Sequence, residues 1–308
     1  MNATLAAWLD AGSEDLDALW RRVLRRPIED AERRATGERL AAGMSRAALL
    51  QELATSAEFA HVRRLDDAVA WAAAQRQAGE RPRNLEAGLG TDERPIEIPW
   101  CLARYAGERR LLDVGYAFAE PAYLAGLVAL GAPELTGVDL AEANVPGLLS
   151  VRADLRDLPF DDGAFDVAIA ISTLEHVGRD NTQYGLGNEE DESLDAALRE
   201  LRRVTARLLV TVPTGAGELL PEQAVHTPAE WIKRFERAGF VVWEDELYEL
   251  GDEGWRSVPE LSPGLSYGSR GPGASAVLCA ELRPGSISAR LRLAVRDRRY
   301  SDDPRRAT

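Results

Sequence analysis

Arg109-Arg110-Leu111-Leu112-Asp113-Val114-Gly115-Tyr116-Ala117-Phe118-Ala119-Glu120 decides the fold. A short apolar run meets an Asp and a Gly, then a small-residue turn and an apolar helical pattern from Pro121 to Leu130. That order predicts a buried parallel strand feeding a helix through a tight loop. Three more apolar runs follow: Leu135 to Val138 ending in Asp139, Leu148 to Ala153 ending in Asp154, and Phe165 to Ile171 ending in Ser172-Thr173-Leu174-Glu175-His176. Each closes on polar residues, which therefore collect at the carboxyl edge of one sheet. Open α/β sheets bind their ligands along that edge.

Downstream, Ala206 to Val212 predicts a fifth strand, and Thr227 with Pro228 an N-capped helix stopped by Gly239. Phe240 to Leu247 and Ala274 to Leu282 read as a closing antiparallel pair. Between them lies a Gly-, Pro- and Ser-rich loop, 251–273, with Trp255 and Tyr267. Its length suits a piece of substrate wall.

These residues resemble the class I S-adenosylmethionine-dependent methyltransferases, from about Glu93 to Arg283. Asp113-x-Gly115 matches the start of that family's first motif, and Asp139 its ribose-holding acidic position. Ala153-Asp154-Leu155 and the run Leu158 to Asp166 match its adenine-side turn and fourth strand. Glu93-Arg94-x-Ile96-Glu97-x-Pro99-Trp100, Ser172 to Gly178 and Tyr184-Gly185 narrow the resemblance to a subgroup found beside sugar and cell-surface polysaccharide genes. The implied fold is α/β: a Rossmann-like seven-stranded sheet with helices on both faces, preceded by an all-α domain. The family's G-x-G-x-G ladder stands here as Gly115-Tyr116-Ala117-Phe118-Ala119, alanine being the smallest retreat from glycine.

The implied cofactor is S-adenosylmethionine. Asp113, Gly115, Ala117, Asp139, Leu140, Asp154, Leu155 and Ser172 are its candidate contacts, with Glu97 for the amino group; a solvated helix glutamate is the other reading of Glu97. His176 is the best base by residue type, since imidazole titrates near neutrality. Glu175, Asp180 and Tyr184 are further candidates; a cap of the strand–helix turn is the alternative reading of His176, and turn-forming and packing roles are those of Asp180 and Tyr184. Methyl transfer to an O or N nucleophile of a small molecule, a sugar or glycan-linked group, is the leading function. An inactive cofactor-binding adaptor for glycan-assembly enzymes, motivated by the alanine loop, stands beside it. A nicotinamide-dependent oxidoreductase is the third reading.

Before that unit, residues 1–78 read as helices: Leu5, Trp8, Leu9, then Leu16, Leu19, Trp20 and Val23 recur at helical steps. Ser45 and Ser56 are predicted N-caps, the helix after Ser56 running to about Trp71. Trp20, Leu24, Arg26-Pro27, Leu40, Gly43, Ser45, Leu49, Leu50, Ser56, Glu58 and Phe59 resemble a small helical domain distantly like phycobilisome linkers. A plain bundle and a protein-docking module both fit. Residues 79–93 read as an exposed linker, 94–283 as the methyltransferase domain and 284–308 as a basic tail.

Of 37 basic and 51 acidic residues, 91–281 hold 16 and 34, a net of −18, which argues against a nucleic-acid substrate. Cys101 and Cys279 lack metal spacing and the three histidines form no cluster, so no metal is expected. The opening residues lack the pattern of a signal peptide, and no apolar run is long enough to span a membrane. A cytoplasmic enzyme is the expectation.

Overall fold

In a computed structural model the described residues are 15–180, 182, 192–271 and 273–285. The helical pattern at Leu5 to Leu9, the candidate Tyr184 and the tail beyond Gly285 lie outside them.

Among the described residues four helices come first: α1 (Leu16–Val23), α2 (Asp30–Ala41), α3 (Arg46–Ala54) and α4 (Ala57–Gln77). Ser45 and Ser56 accept from the backbone N–H groups of Ala48 and Phe59, satisfying donors a helix start leaves open. Leu16, Leu19, Trp20, Val23, Leu49 and Leu53 bury one another in a core of their own. Helix α4 runs six residues past Trp71, because Ala72-Ala73-Ala74 favours helix and no breaker occurs before Gly79. Its Leu65 and Ala72 belong to the core beneath the sheet.

Among the described residues the sheet has nine strands: β1 (Ala87–Gly88), β2 (Arg110–Val114), β3 (Glu134–Asp139), β4 (Leu149–Arg152), β5 (Val167–Ile171), β6 (Leu208–Pro213), β9 (Phe240–Gly251), β10 (Gly254–Val258) and β11 (Ala276–Pro284). A separate hairpin pairs β7 (Glu218–Leu219) with β8 (Ala224–Val225). The order across the large sheet is β1-β10-β9-β11-β6-β5-β2-β3-β4. Strands β4, β3, β2, β5 and β6 are parallel, and β11 inserts antiparallel between β6 and β9. These seven are the expected Rossmann-like sheet.

Two short strands extend it. Trp255 and Leu250 pair where an irregular loop was expected, and β1, from the segment read as an exposed linker, pairs with β10. The Asn84 N–H donates to the Glu246 carboxylate at 2.8 Å, fixing this segment further. Gly254, at φ 118, is required here: a Cβ would meet the Ala87 carbonyl oxygen at 2.2 Å.

Alternation along β5 sends Val167 and Ile169 into one core and Ala168 and Ala170 into the other. The first core is covered by α4, α5 (Arg94–Leu102) and α6 (Pro121–Ala129). The second is covered by α7 (Glu192–Val204) and α8 (Pro228–Arg237), through Leu198, Leu201, Trp231 and Phe235. The chain leaves β2 for β3 on one side, while β5 and β6 lie on the other. The loops after β2 and β5 therefore diverge and leave a crevice. Among the described residues no helix is long and apolar enough to cross a membrane.

Candidate active site

A cavity of about 410 Å³ occupies that crevice, within the ~300–1,000 Å³ of small-molecule sites. Its floor is the loop after β2. Gly115 has φ 88, and a Cβ there would lie 2.4 Å from Thr173 Oγ1, so only glycine lets the β2 and β5 loops meet. Asp113 lines the cavity and shares a short hydrogen bond with the Tyr123 hydroxyl. Burial pushes its carboxyl up to about 7; the Tyr123 bond opposes this and the Asp139 charge adds to it.

Asp139, at the end of β3, faces the cavity with its carboxylate oriented by backbone amides. The Ala117 N–H donates to Oδ2 and the Ala141 N–H to Oδ1, each at 3.0 Å. Ala117 itself does not line the cavity; its part is to hold Asp139. Leu140 and Leu155 line the wall with Phe118, Val138 and Val177. Asp154 also faces in, ion-paired to Arg156 at 2.7 Å. Burial alone would raise the Asp154 carboxyl, but the Arg156 hydrogen bonds and charge hold it below its ordinary value.

Ser172 follows β5 with φ 42, a conformation costing a non-glycine residue ~1–3 kcal/mol. Its hydroxyl donates to Glu97 Oε1 at 2.7 Å. Glu97 is 0% exposed, and Arg94 Nη1 donates to its Oε2 at 2.6 Å. The solvated-helix reading of Glu97 is thereby overturned. The residue does not line the cavity either, but braces Arg94 and Ser172, which do.

A second cavity of about 430 Å³ adjoins the first, sharing Arg94, Ser172 and His176. The β7–β8 hairpin closes one side: the Asp180 N–H donates to the Pro221 carbonyl at 2.9 Å, and His176 Nδ1 lies 2.7 Å from the Glu222 carbonyl. Nδ1 is therefore the protonated nitrogen, and Nε2 the basic one in the neutral ring. Burial lowers the His176 pKa, with the Arg94 charge adding to it and the Glu222 carbonyl opposing. Glu175, Asp180, Gln223, Glu93 and Tyr267 complete this chamber.

Sequence reasoning singled out Ser172, His176, Glu175 and Asp180 in the chamber and missed Glu93, Arg94, Gln223 and Tyr267 as site residues. Glu93 and Arg94 stood in the quoted motif beside Glu97, and Tyr267 stood in the loop read as a substrate wall. Gln223 carried no signal. Among the described residues no group of His, Cys, Asp and Glu could hold a metal ion. Cys101 and Cys279 are buried free thiols, their pKa values pushed up by burial.

Residues 112–207, from β2 to the edge of β6, match the family model described as a methyltransferase domain. The chain carries a methyltransferase domain. It is a methyltransferase, and S-adenosylmethionine is its cofactor. The comparison with curated proteins returns no match.

Similar solved structures include the 1,6-didemethyltoxoflavin-N1-methyltransferase of Burkholderia thailandensis, 16% identical, covering 74% of this chain and 90% of that one at a TM-score of 0.43. The [4+2]-cyclase SpnF is 18% identical, covering 72% and 95% at 0.43. An S-adenosylmethionine-dependent methyltransferase of Mesorhizobium loti is 17% identical, covering 63% and 98% at 0.40. At such TM-scores these likenesses carry no weight for the methyltransferase's fold or chemistry.

The residues present fit the cofactor. Gly115 lines the cleft at φ 88 and packs so tightly on Thr173 that a Cβ would press on that side chain, and Asp139 offers the carboxylate lone pairs that adjacent ribose hydroxyls need. Ala119 and Phe118 line the cavity. The cleft beside the alanine-substituted loop is open.

Proposed function

We propose that the methyltransferase acts on an oxygen or nitrogen of a small polar molecule, a sugar or glycan-linked group, bound in the second chamber. Bound S-adenosylmethionine supplies an electrophilic methyl group whose transfer needs an aligned, deprotonated nucleophile. The observation that carries the reading is the contact between chambers. Arg94, Ser172 and His176 wall both, so a nucleophile held in one adjoins the cofactor in the other.

In this reading Asp139 holds the ribose, Asp154 and Leu155 flank the adenine, and the loop from Gly115 receives the methionine end. Arg94 is held by Glu97 and orients the acceptor. His176 takes the acceptor's proton: its Nδ1–H is fixed by the Glu222 carbonyl, and burial keeps the ring neutral at physiological pH. The lining of the chamber, with carboxyl, amide, imidazole and phenol groups, suits a polyhydroxylated or amino-bearing molecule better than an apolar one.

The test is transfer of a radiolabelled methyl group to a panel of free and nucleotide-linked sugars and amino sugars. Transfer to a member of the panel, falling ~10²–10⁴-fold in kcat with His176→Gln, is the expected result. Transfer only to apolar acceptors would overturn the sugar reading, and unchanged kcat in His176→Gln would remove its role as base.

A further inference from the structure

Two carboxyl groups in the second chamber lack a strong cationic partner. Glu175 is 2% exposed, and its Oε2 has no hydrogen-bond partner. Glu93 is 8% exposed, and its Oε2 accepts from the Ala274 N–H at 3.3 Å. Arg94, the guanidinium of the chamber, is engaged by Glu97 at 2.6 Å. Among the described residues the single basic group within 4 Å of either carboxyl is His176, with Nε2 3.9 Å from Glu175 Oε1. Burial holds that imidazole toward its neutral form.

A buried carboxyl without a partner is costly, and a ligand that supplies a donor and a positive charge removes the cost. A hydroxyl supplies the donor alone. Burial raises Glu93 to about 7 and Glu175 to about 8, Glu97 adding to both and Arg94 opposing, which is how carboxyls behave when their counter-charge is missing. Asp180 and Glu222 add further carboxylates to the lining, and Tyr267 contributes an aromatic ring that a cation can approach. Acid groups thus outnumber basic ones around the chamber.

The geometry points to a cation: we propose that the chamber selects acceptors bearing a protonated primary or secondary amine, seated between Glu93 and Glu175. The proposal rests on the methyl-transfer reading and narrows it to nitrogen. The ammonium gives one proton to His176 Nε2, and the freed lone pair forms the new N–C bond. The electrons of the breaking methyl–sulfur bond stay on sulfur, and the imidazolium returns its proton to solvent. Glu93 and Glu175 hold the charge that the nitrogen carries before and after transfer.

The experiment is titration calorimetry at pH 7 on the full chain saturated with S-adenosylhomocysteine. The probes are aliphatic amines and amino sugars, each beside its hydroxyl isostere, glucosamine beside glucose among them. At least one amine should bind tenfold or more tightly than its isostere. Its binding should release protons, read as a dependence of the heat on the buffer's ionisation enthalpy, because the incoming charge ionises Glu175. Glu175→Gln should lower the amine preference about tenfold and abolish the proton release, and Glu93→Gln serves as the second variant if the first fails to fold. Isosteres that bind as well as the amines, or a panel in which no amine binds, would overturn the proposal and leave the methyl-transfer reading standing. Failure of S-adenosylhomocysteine itself to bind would overturn that reading, and this one with it.

Discussion

The two adjoining chambers are built on opposite principles. In the cofactor cleft the acidic groups are partnered: Asp139 by two backbone amides, Asp154 by Arg156, Asp113 by Tyr123. In the acceptor chamber Glu175 has an orphaned oxygen, and burial raises both Glu175 and Glu93 far above ordinary carboxyls. A site that binds one constant ligand can be satisfied before the ligand arrives. A site that must recognise a charged ligand keeps carboxyls without a strong partner of their own. The difference teaches that polar saturation, more than residue type, separates the scaffold of this active site from its selective part.

The comparison breaks most visibly at Gly115. Gly115→Val should abolish measurable S-adenosylhomocysteine binding, since even a Cβ falls 2.4 Å from Thr173 Oγ1 and the backbone sits at φ 88. Circular dichroism would separate a closed cleft from an unfolded chain, and retained affinity would mean that the loops can part. Asp139→Ala comes next, with an expected 10- to 100-fold loss of affinity, as hydrogen bonds to a charged group are worth ~1.5–3 kcal/mol. Calorimetry checks it, and a loss under threefold would remove the ribose role.

The pH profile of kcat/KM sharpens the other side. The His176 pKa is lowered, so the free enzyme's acidic limb governed by that imidazole should lie below the ordinary histidine range. A limb at or above about 6.5 would mean that another group titrates, Glu175 or Glu93 first.

The smallest effect is at the entrance to the cofactor cleft. His61 on α4 lies 3.6 Å from Glu120, which lines the cleft, and 3.9 Å from Asp92. Glu120 first, then Asp92, raise the His61 pKa against burial. A raised folded pKa gives stability that is full below the unfolded value and is lost as pH rises through the folded one. His61→Ala should therefore cost up to ~1 kcal/mol near pH 5.5 and little near pH 8.5. Thermal unfolding at both pH values measures it; an equal cost at both would assign His61 to packing alone.

That Asp113, Asp139 and Asp154 share one cavity was legible in the sequence. Asp113, Asp139 and Asp154 follow short apolar runs, and strands in register bring such ends to one edge. The acceptor chamber was less so, because Glu93 and Arg94, Glu175 and His176, Pro221 to Gln223 and Tyr267 come from four distant segments that no local period connects. Glu97 drew attention by its position in a lead-in helix, yet the helix turns it inward and presents Arg94 to the cavities. Strands β1 and β10 were hidden for another reason: two residues make no alternation, and Gly251 to Val258 reads as loop until Trp255 has a partner to pack against. Helix α4 was cut short at Trp71 because an alanine run has high propensity but no amphipathic stripe.

The most direct test of the two-chamber account is calorimetry with S-adenosylhomocysteine on the wild type, Asp139→Ala and Glu175→Gln. The account predicts binding to the wild type, a 10- to 100-fold loss in Asp139→Ala and a change under twofold in Glu175→Gln. A loss in Glu175→Gln equal to that in Asp139→Ala, or no binding to the wild type, would contradict it.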